Sequence, residues 1–142
     1  MPRHLFGIAA VGSDGTIVEV GDVGHPFSIQ SDSKPFVHAL VMPAVGAETV
    51  QAKIGVNATG LPFNSVMAIE LNPDRTMNPM VNAGAIATTS LAPGDTAEAT
   101  WQSIREGLSR FAGRDLALNE EVDQSQAATK LRNRGIAKLL EG

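Results

Sequence analysis

The chain has 142 residues, 43% hydrophobic and 18% charged, with 11 basic against 15 acidic side chains and a formal net charge of −4. That is one domain's worth of chain with enough apolar residues to bury a core, too apolar for disorder and without the basic stripe that nucleic acid requires. No run of 18 apolar residues is present to span a membrane, and the lack of cysteine excludes disulfides and makes the cytoplasm the expected location.

Met1-Pro2-Arg3-His4 passes directly into Leu5-Phe6-Gly7-Ile8, too short and too strand-like for a signal peptide. Leu5–Val11 and Thr16–Val20 are β-favouring runs on either side of Asp14-Gly15, which predicts an antiparallel hairpin. Gly21–Pro26 is a loop, and Phe27-Ser28-Ile29 is a short extended approach to Ser31.

A helix is expected to start near Ser31, with Pro35 tolerated in its first turn and Pro43 ending or kinking it. A short helix follows over Ala47–Lys53, then a loop over Gly55–Pro62. Asn64–Glu70 fits helix and strand equally, and Asn72-Pro73-Asp74 is a turn. Val81–Ala87 is rich in small residues, which predicts a helix packed closely on a neighbour. Asn82 is the polar group in that run and needs partners, either backbone or ligand. Asp95-Thr96-Ala97-Glu98 resembles a capping box with Asp95 as the cap. Trp101, Ile104, Leu108 and Phe111 then form an amphipathic stripe ending at Gly113, with Trp101 expected in the core. Leu116–Leu118 is a link. Asn119 or Glu120 opens a polar stretch, and a last helix carries Ala127, Ala128, Leu131, Ile136, Leu139 and Leu140.

The chemistry-bearing residues are few. His4, His25 and His38 are scattered without ligand spacing, so no metal site is expected, and His38 is read as structural. There is no phosphate-binding glycine motif. What remains is Ser31-Asp32-Ser33-Lys34, an S-x-x-K spacing that puts a hydroxyl and an amine on one helix face. A serine hydroxyl needs a base beside it, and a lysine serves only if its amine is held neutral, which desolvation favours. A helix start also offers free N–H groups to an oxyanion. Taken alone, the tetrapeptide reads first as an N-cap serine and a solvated first-turn lysine.

Longer stretches add to it. Phe27-Ser28-Ile29-Gln30-Ser31, Thr59-Gly60-Leu61-Pro62-Phe63-Asn64-Ser65, Asn78-Pro79-Met80-Val81-Asn82-Ala83-Gly84-Ala85-Ile86 and Arg132-Asn133-Arg134-Gly135-Ile136-Ala137, in this order, resemble the serine-dependent glutaminases, enzymes of the β-lactamase/transpeptidase-like fold. The resemblance runs from about Leu5 to Leu140. It implies an α+β fold, an antiparallel sheet with helices, incomplete here because the family's catalytic domains are longer and this chain resembles their first half. Residues 1–142 are accordingly expected to be a single, partial glutaminase-like domain.

The implied activity is hydrolysis of L-glutamine to L-glutamate and ammonia through a serine acyl-enzyme, with no cofactor, no metal, no nucleic-acid or membrane partner, and homo-oligomeric assembly. Ser31 is the implied nucleophile and Lys34 its activating partner. Ser31, Asn82, Gln126 and Asn133 are the implied substrate contacts, with Gln30 a weaker candidate. Three departures stand out. Gln126 occupies the place of a family glutamate that meets the substrate's α-ammonium, Asp32 replaces an apolar residue and would favour charged Lys34, and Gly135 replaces an alanine. The family also uses downstream tyrosines, and this chain has none. The alternative is therefore a non-catalytic interaction or amino-acid-binding module on the same scaffold. A β-lactamase or penicillin-binding relative is disfavoured, since neither K-T-G nor a credible S-D-N follows.

Overall fold

The computed structural model describes residues 3–71, 76, 78–126 and 130–141. The hairpin forms as expected. β1 (Gly7–Val11) and β2 (Ile17–Gly21) pair antiparallel, with Val11 opposite Ile17 and Ile8 opposite Val20. In the turn, the Asp14 carboxylate accepts from the Thr16 N–H at 3.0 Å and the Thr16 hydroxyl at 2.8 Å. These bonds hold the Asp14 carboxyl below its ordinary value, the backbone bond contributing most. Every residue of both strands is exposed, and the two strands form a sheet of their own among the described residues.

The rest is helical and centres on one rod. A 3-10 turn (Gln30–Asp32) leads into α1 (Ser33–Val45), followed by α2 (Ala47–Lys53). Pro43 neither ends nor interrupts α1. It sits in the last turn, and the chain leaves the helix at Gly46, whose φ of 85° suits glycine. Val37 and Val41 of α1 meet Val50, Ile54, Ala92 and Ile104 in the core, and Met42, Val45, Ala87, Leu91 and Leu108 pack around them.

Asn64–Glu70 resolves as helix, but only over α3 (Met67–Glu70). α4 (Asn82–Ser90) is the small-residue helix, packed against α1 and α7. At Gly84 a Cβ would collide with the Asn78 carbonyl, so the glycine is required by close approach. α5 (Ala97–Ala112) crosses α1. Its cap is Thr96, not Asp95: the Thr96 hydroxyl accepts from the Ala99 N–H at 3.1 Å. The Thr96 backbone is extended and its oxygen reaches the third helical N–H, whereas Asp95 lies one residue too early. Gly113 closes α5 in the left-handed conformation, as its position predicts. Trp101 is 49% exposed, so the expectation that it lies in the core does not hold. Ile104 is the buried member of the stripe, and Phe111, also half-exposed, packs in a tilted ring contact on Phe36 of α1, centroids 5.2 Å apart.

Asn119 caps α6 (Glu120–Ser125), and α7 (Lys130–Leu140) closes the chain with Ile136 fully buried. Leu131 and Leu139, which that helix carries, are 71% and 48% exposed. The turn at Asn72-Pro73-Asp74 and the helical positions Ala127 and Ala128 lie outside the described residues.

Candidate active site

A cavity of about 290 Å³ opens between the 3-10 turn, α1, α4, the end of α6 and α7. Ser31, Lys34, Asn82, Gln126 and Asn133 all line it, as does Gln30, although up to 103 positions of sequence separate them. Each arrives on a different support. Ser31 is not an α-helical N-cap: it sits inside the 3-10 turn, and its side chain caps nothing. That leaves the hydroxyl uncommitted, and it makes no hydrogen bond to any described residue.

Lys34 lies in the first turn of α1 and reaches across to the start of α4. Its Nζ donates to the Met80 carbonyl at 3.0 Å and to Asn82 Oδ1 at 2.9 Å. Burial pushes its pKa below the ordinary lysine value. The Phe63 ring lies 5.8 Å from Nζ, a contact that favours the cation. Asp32 is not among the causes of the Lys34 shift, contrary to the expectation that it would raise it. Its carboxylate is exposed to water, which screens it, and the Lys34 shift is downward. Asn82 passes the connection on, donating from Nδ2 to Asn133 Oδ1 at 3.0 Å. Lys34, Asn82 and Asn133 thus form one chain of hydrogen bonds joining α1, α4 and α7.

The loops between the helices aim this network. Asn82 N–H donates to the Phe63 carbonyl at 2.8 Å, docking the Thr59–Ser65 stretch on the head of α4. Asn78 Oδ1 accepts from the Met80 N–H at 2.8 Å, and its Nδ2 donates to the Asn57 carbonyl at 3.1 Å, which sets the Met80 carbonyl facing Lys34. Sequence reading missed Met80 as a partner of Lys34, because a backbone carbonyl leaves no mark in residue type. It also missed Ser33 and Thr89, which line the cavity; only the position of Ser33 inside S-x-x-K pointed to it. Gly135 is exposed and opens onto free space, so its replacement of alanine disturbs no packing. His38 stays outside the network, with a buried Nδ1 that has no partner among the described residues. No three His, Asp or Glu side chains gather as a metal-ligand set among the described residues.

This arrangement can be set against known proteins. The family model described as glutaminase matches residues 1–142. The chain belongs to the glutaminase family. Glutaminase 2 of Yersinia pestis is 58% identical over 142 residues, all of this chain and 42% of its own length. A glutaminase of Brucella canis is 51% identical over 140 residues, 99% of this chain and 44% of its own. Among solved structures, the probable glutaminase ybaS superposes with a TM-score of 0.94 at 45% identity, over 99% of this chain and 46% of that one. A probable glutaminase of Bacillus subtilis gives 0.88 at 32% identity, over 95% and 44%. This glutaminase chain therefore spans under half the length of these relatives, and its α+β arrangement of a small antiparallel sheet with several helices matches their structures. No helix among the described residues is long and apolar enough to cross a membrane.

Proposed function

We propose that the cavity is the serine–lysine part of a glutaminase active site. The observation that carries this reading is the Lys34 amine held between two acceptors in the same cavity as an uncommitted Ser31 hydroxyl. A neutral amine has two N–H donors and one lone pair. The Met80 carbonyl and Asn82 Oδ1 take the two donors, and the lone pair is left for the Ser31 proton. Ser31 Oγ attacks the side-chain amide carbon of L-glutamine, the tetrahedral intermediate collapses with loss of ammonia, and water hydrolyses the glutamyl-serine ester. Asn82, Asn133 and Gln126 face the substrate, offering an amino acid the amide donors and lone pairs that the Lys34–Asn82–Asn133 chain leaves over. No cofactor enters the scheme. In this reading residues 1–142 are one partial domain of a β-lactamase/transpeptidase-like fold, acting in the cytoplasm as a homo-oligomer.

A second reading, an amino-acid-binding or interaction module without catalysis, is favoured by one observation. Gln126 lines the cavity where the family resemblance places a glutamate, so the substrate's ammonium meets a neutral amide. Covalent trapping separates the two. A diazoketone analogue of glutamine should attach to Ser31, as read by peptide mass spectrometry, and free glutamine should slow it. Reversible binding without an adduct would establish the second reading instead.

A further inference from the structure

We propose that Ser33 is a positioning residue for acyl transfer: its hydroxyl locks the Gln30–Ser31 peptide so that the Ser31 N–H serves the oxyanion. This rests on Ser31 being the nucleophile. Among the described residues, Gln30 is the non-glycine residue with positive φ, 42°. A side chain rarely adopts that conformation, and it persists only where the surroundings over-determine it. The Gln30 side chain does not do so; its Nε2 turns back to Ser28 Oγ at 3.0 Å. Ser33 does. Its hydroxyl donates to the Gln30 carbonyl at 2.6 Å, and its backbone N–H donates to the same oxygen.

The consequence falls on the nucleophile. None of the described peptide bonds is cis, and in a trans peptide the carbonyl and the following N–H point in opposite directions. Holding the Gln30 oxygen toward Ser33 therefore turns the Ser31 N–H the other way. That N–H makes no hydrogen bond to any described residue. A free donor of fixed direction on the nucleophile's own residue, at the entry to a helix, is what a developing oxyanion needs, because no reorganisation is left to perform during the reaction. Gln30, Ser31 and Ser33 all line the cavity.

The test uses the full chain and an activated γ-nitrophenyl ester of glutamate, whose leaving group departs without a proton. Ser31 Oγ bonds to the γ-carbonyl carbon, the ester C–O bond breaks, nitrophenolate is released and the hydroxyl proton passes to Lys34. Stopped-flow absorbance reads the acylation step, and the amide-to-Hα coupling of Gln30 in NMR reads its φ. Ser33→Ala should slow acylation about tenfold, short of the ~10²–10³ that outright loss of an oxyanion donor costs, with half-saturation unchanged. The Gln30 coupling should move toward that of negative φ, and Ser33→Thr should retain both native values. Ser33→Gly, which also removes the hydroxyl at the first residue of α1, repeats the experiment should the alanine variant fold poorly. Native acylation rates and native Gln30 coupling in both hydroxyl-free variants would overturn the proposal while leaving the Ser31 reading in place. Acylation that persists in Ser31→Ala would overturn that reading, and this proposal with it.

Discussion

In the proposed reading the chemistry turns on Lys34, and its protonation gives the most direct prediction. Burial lowers its pKa from the ordinary value of 10.5. Acylation of Ser31 should therefore rise with pH and level off at a midpoint below 10.5, as the amine loses its proton. The same shift makes the unfolded chain hold a proton that the native chain has released. Folding stability should thus increase as pH climbs from the lowered Lys34 value toward 10.5. Asn82→Asp places a carboxylate 2.9 Å from the amine and should move the midpoint of acylation upward; a midpoint that stays put would mean that another group titrates. Gln126 makes the complementary prediction on binding. If Gln126 faces the substrate ammonium as proposed, Gln126→Glu should restore a charge-assisted contact worth ~1–2 kcal/mol, or roughly tenfold in the Kd for glutamine by calorimetry. The gain should vanish for an analogue without the α-amino group.

At the scale of elements, α4 and the loop before it form one unit. Gly84→Ala would drive a methyl group into the Asn78 carbonyl, and Asn78 is the residue that aims the Met80 carbonyl at Lys34. Overpacking of this kind costs ~1–3 kcal/mol, so thermal unfolding should shift down by several degrees. If Tm is unchanged, the close approach is not as tight as described. The cap of α5 offers a cleaner comparison, because two adjacent residues compete for the role. Thr96→Ala should cost ~1 kcal/mol in denaturant unfolding and Asp95→Ala distinctly less. The reverse order would reinstate the capping box headed by Asp95.

On the scale of the whole molecule, the hairpin stands out because its two strands pair with no other strand among the described residues. Alternation along the strands places Ile8, Ala10, Val18 and Val20 on one face, and all four are exposed. A two-stranded sheet with an uncovered apolar face is marginal by itself and invites association. Sedimentation should show species larger than the monomer, and Val18→Lys with Val20→Lys should return the chain toward monomer; a monomer from the outset would mean that the face tolerates water. Turnover divides differently. The ester test needs no proton for its leaving group, but ammonia does, and the family resemblance assigns proton transfer to tyrosines that this chain lacks. The 142-residue chain should release no ammonia from glutamine above background, even where it acylates with the activated ester.

Local rules determined much of this protein from its sequence. The Asp14-Gly15 hairpin, the helix over Ala47–Lys53 and the glycine stop at Gly113 depend on backbone preferences and side chains a few residues apart, so the residue types suffice to read them. The identities of Ser31, Lys34, Asn82, Gln126 and Asn133 as cavity residues were legible through motifs in order along the chain. Tertiary structure alone decided how they meet. Thr96 displaced Asp95 as the cap because one residue of extended backbone sets which oxygen reaches the helix. Trp101 stayed half-exposed because amphipathic spacing names a face but not what covers it. The Lys34 amine found a backbone carbonyl 46 positions away, at Met80, because the fold of the intervening helices brings it there, and no residue type announces a carbonyl.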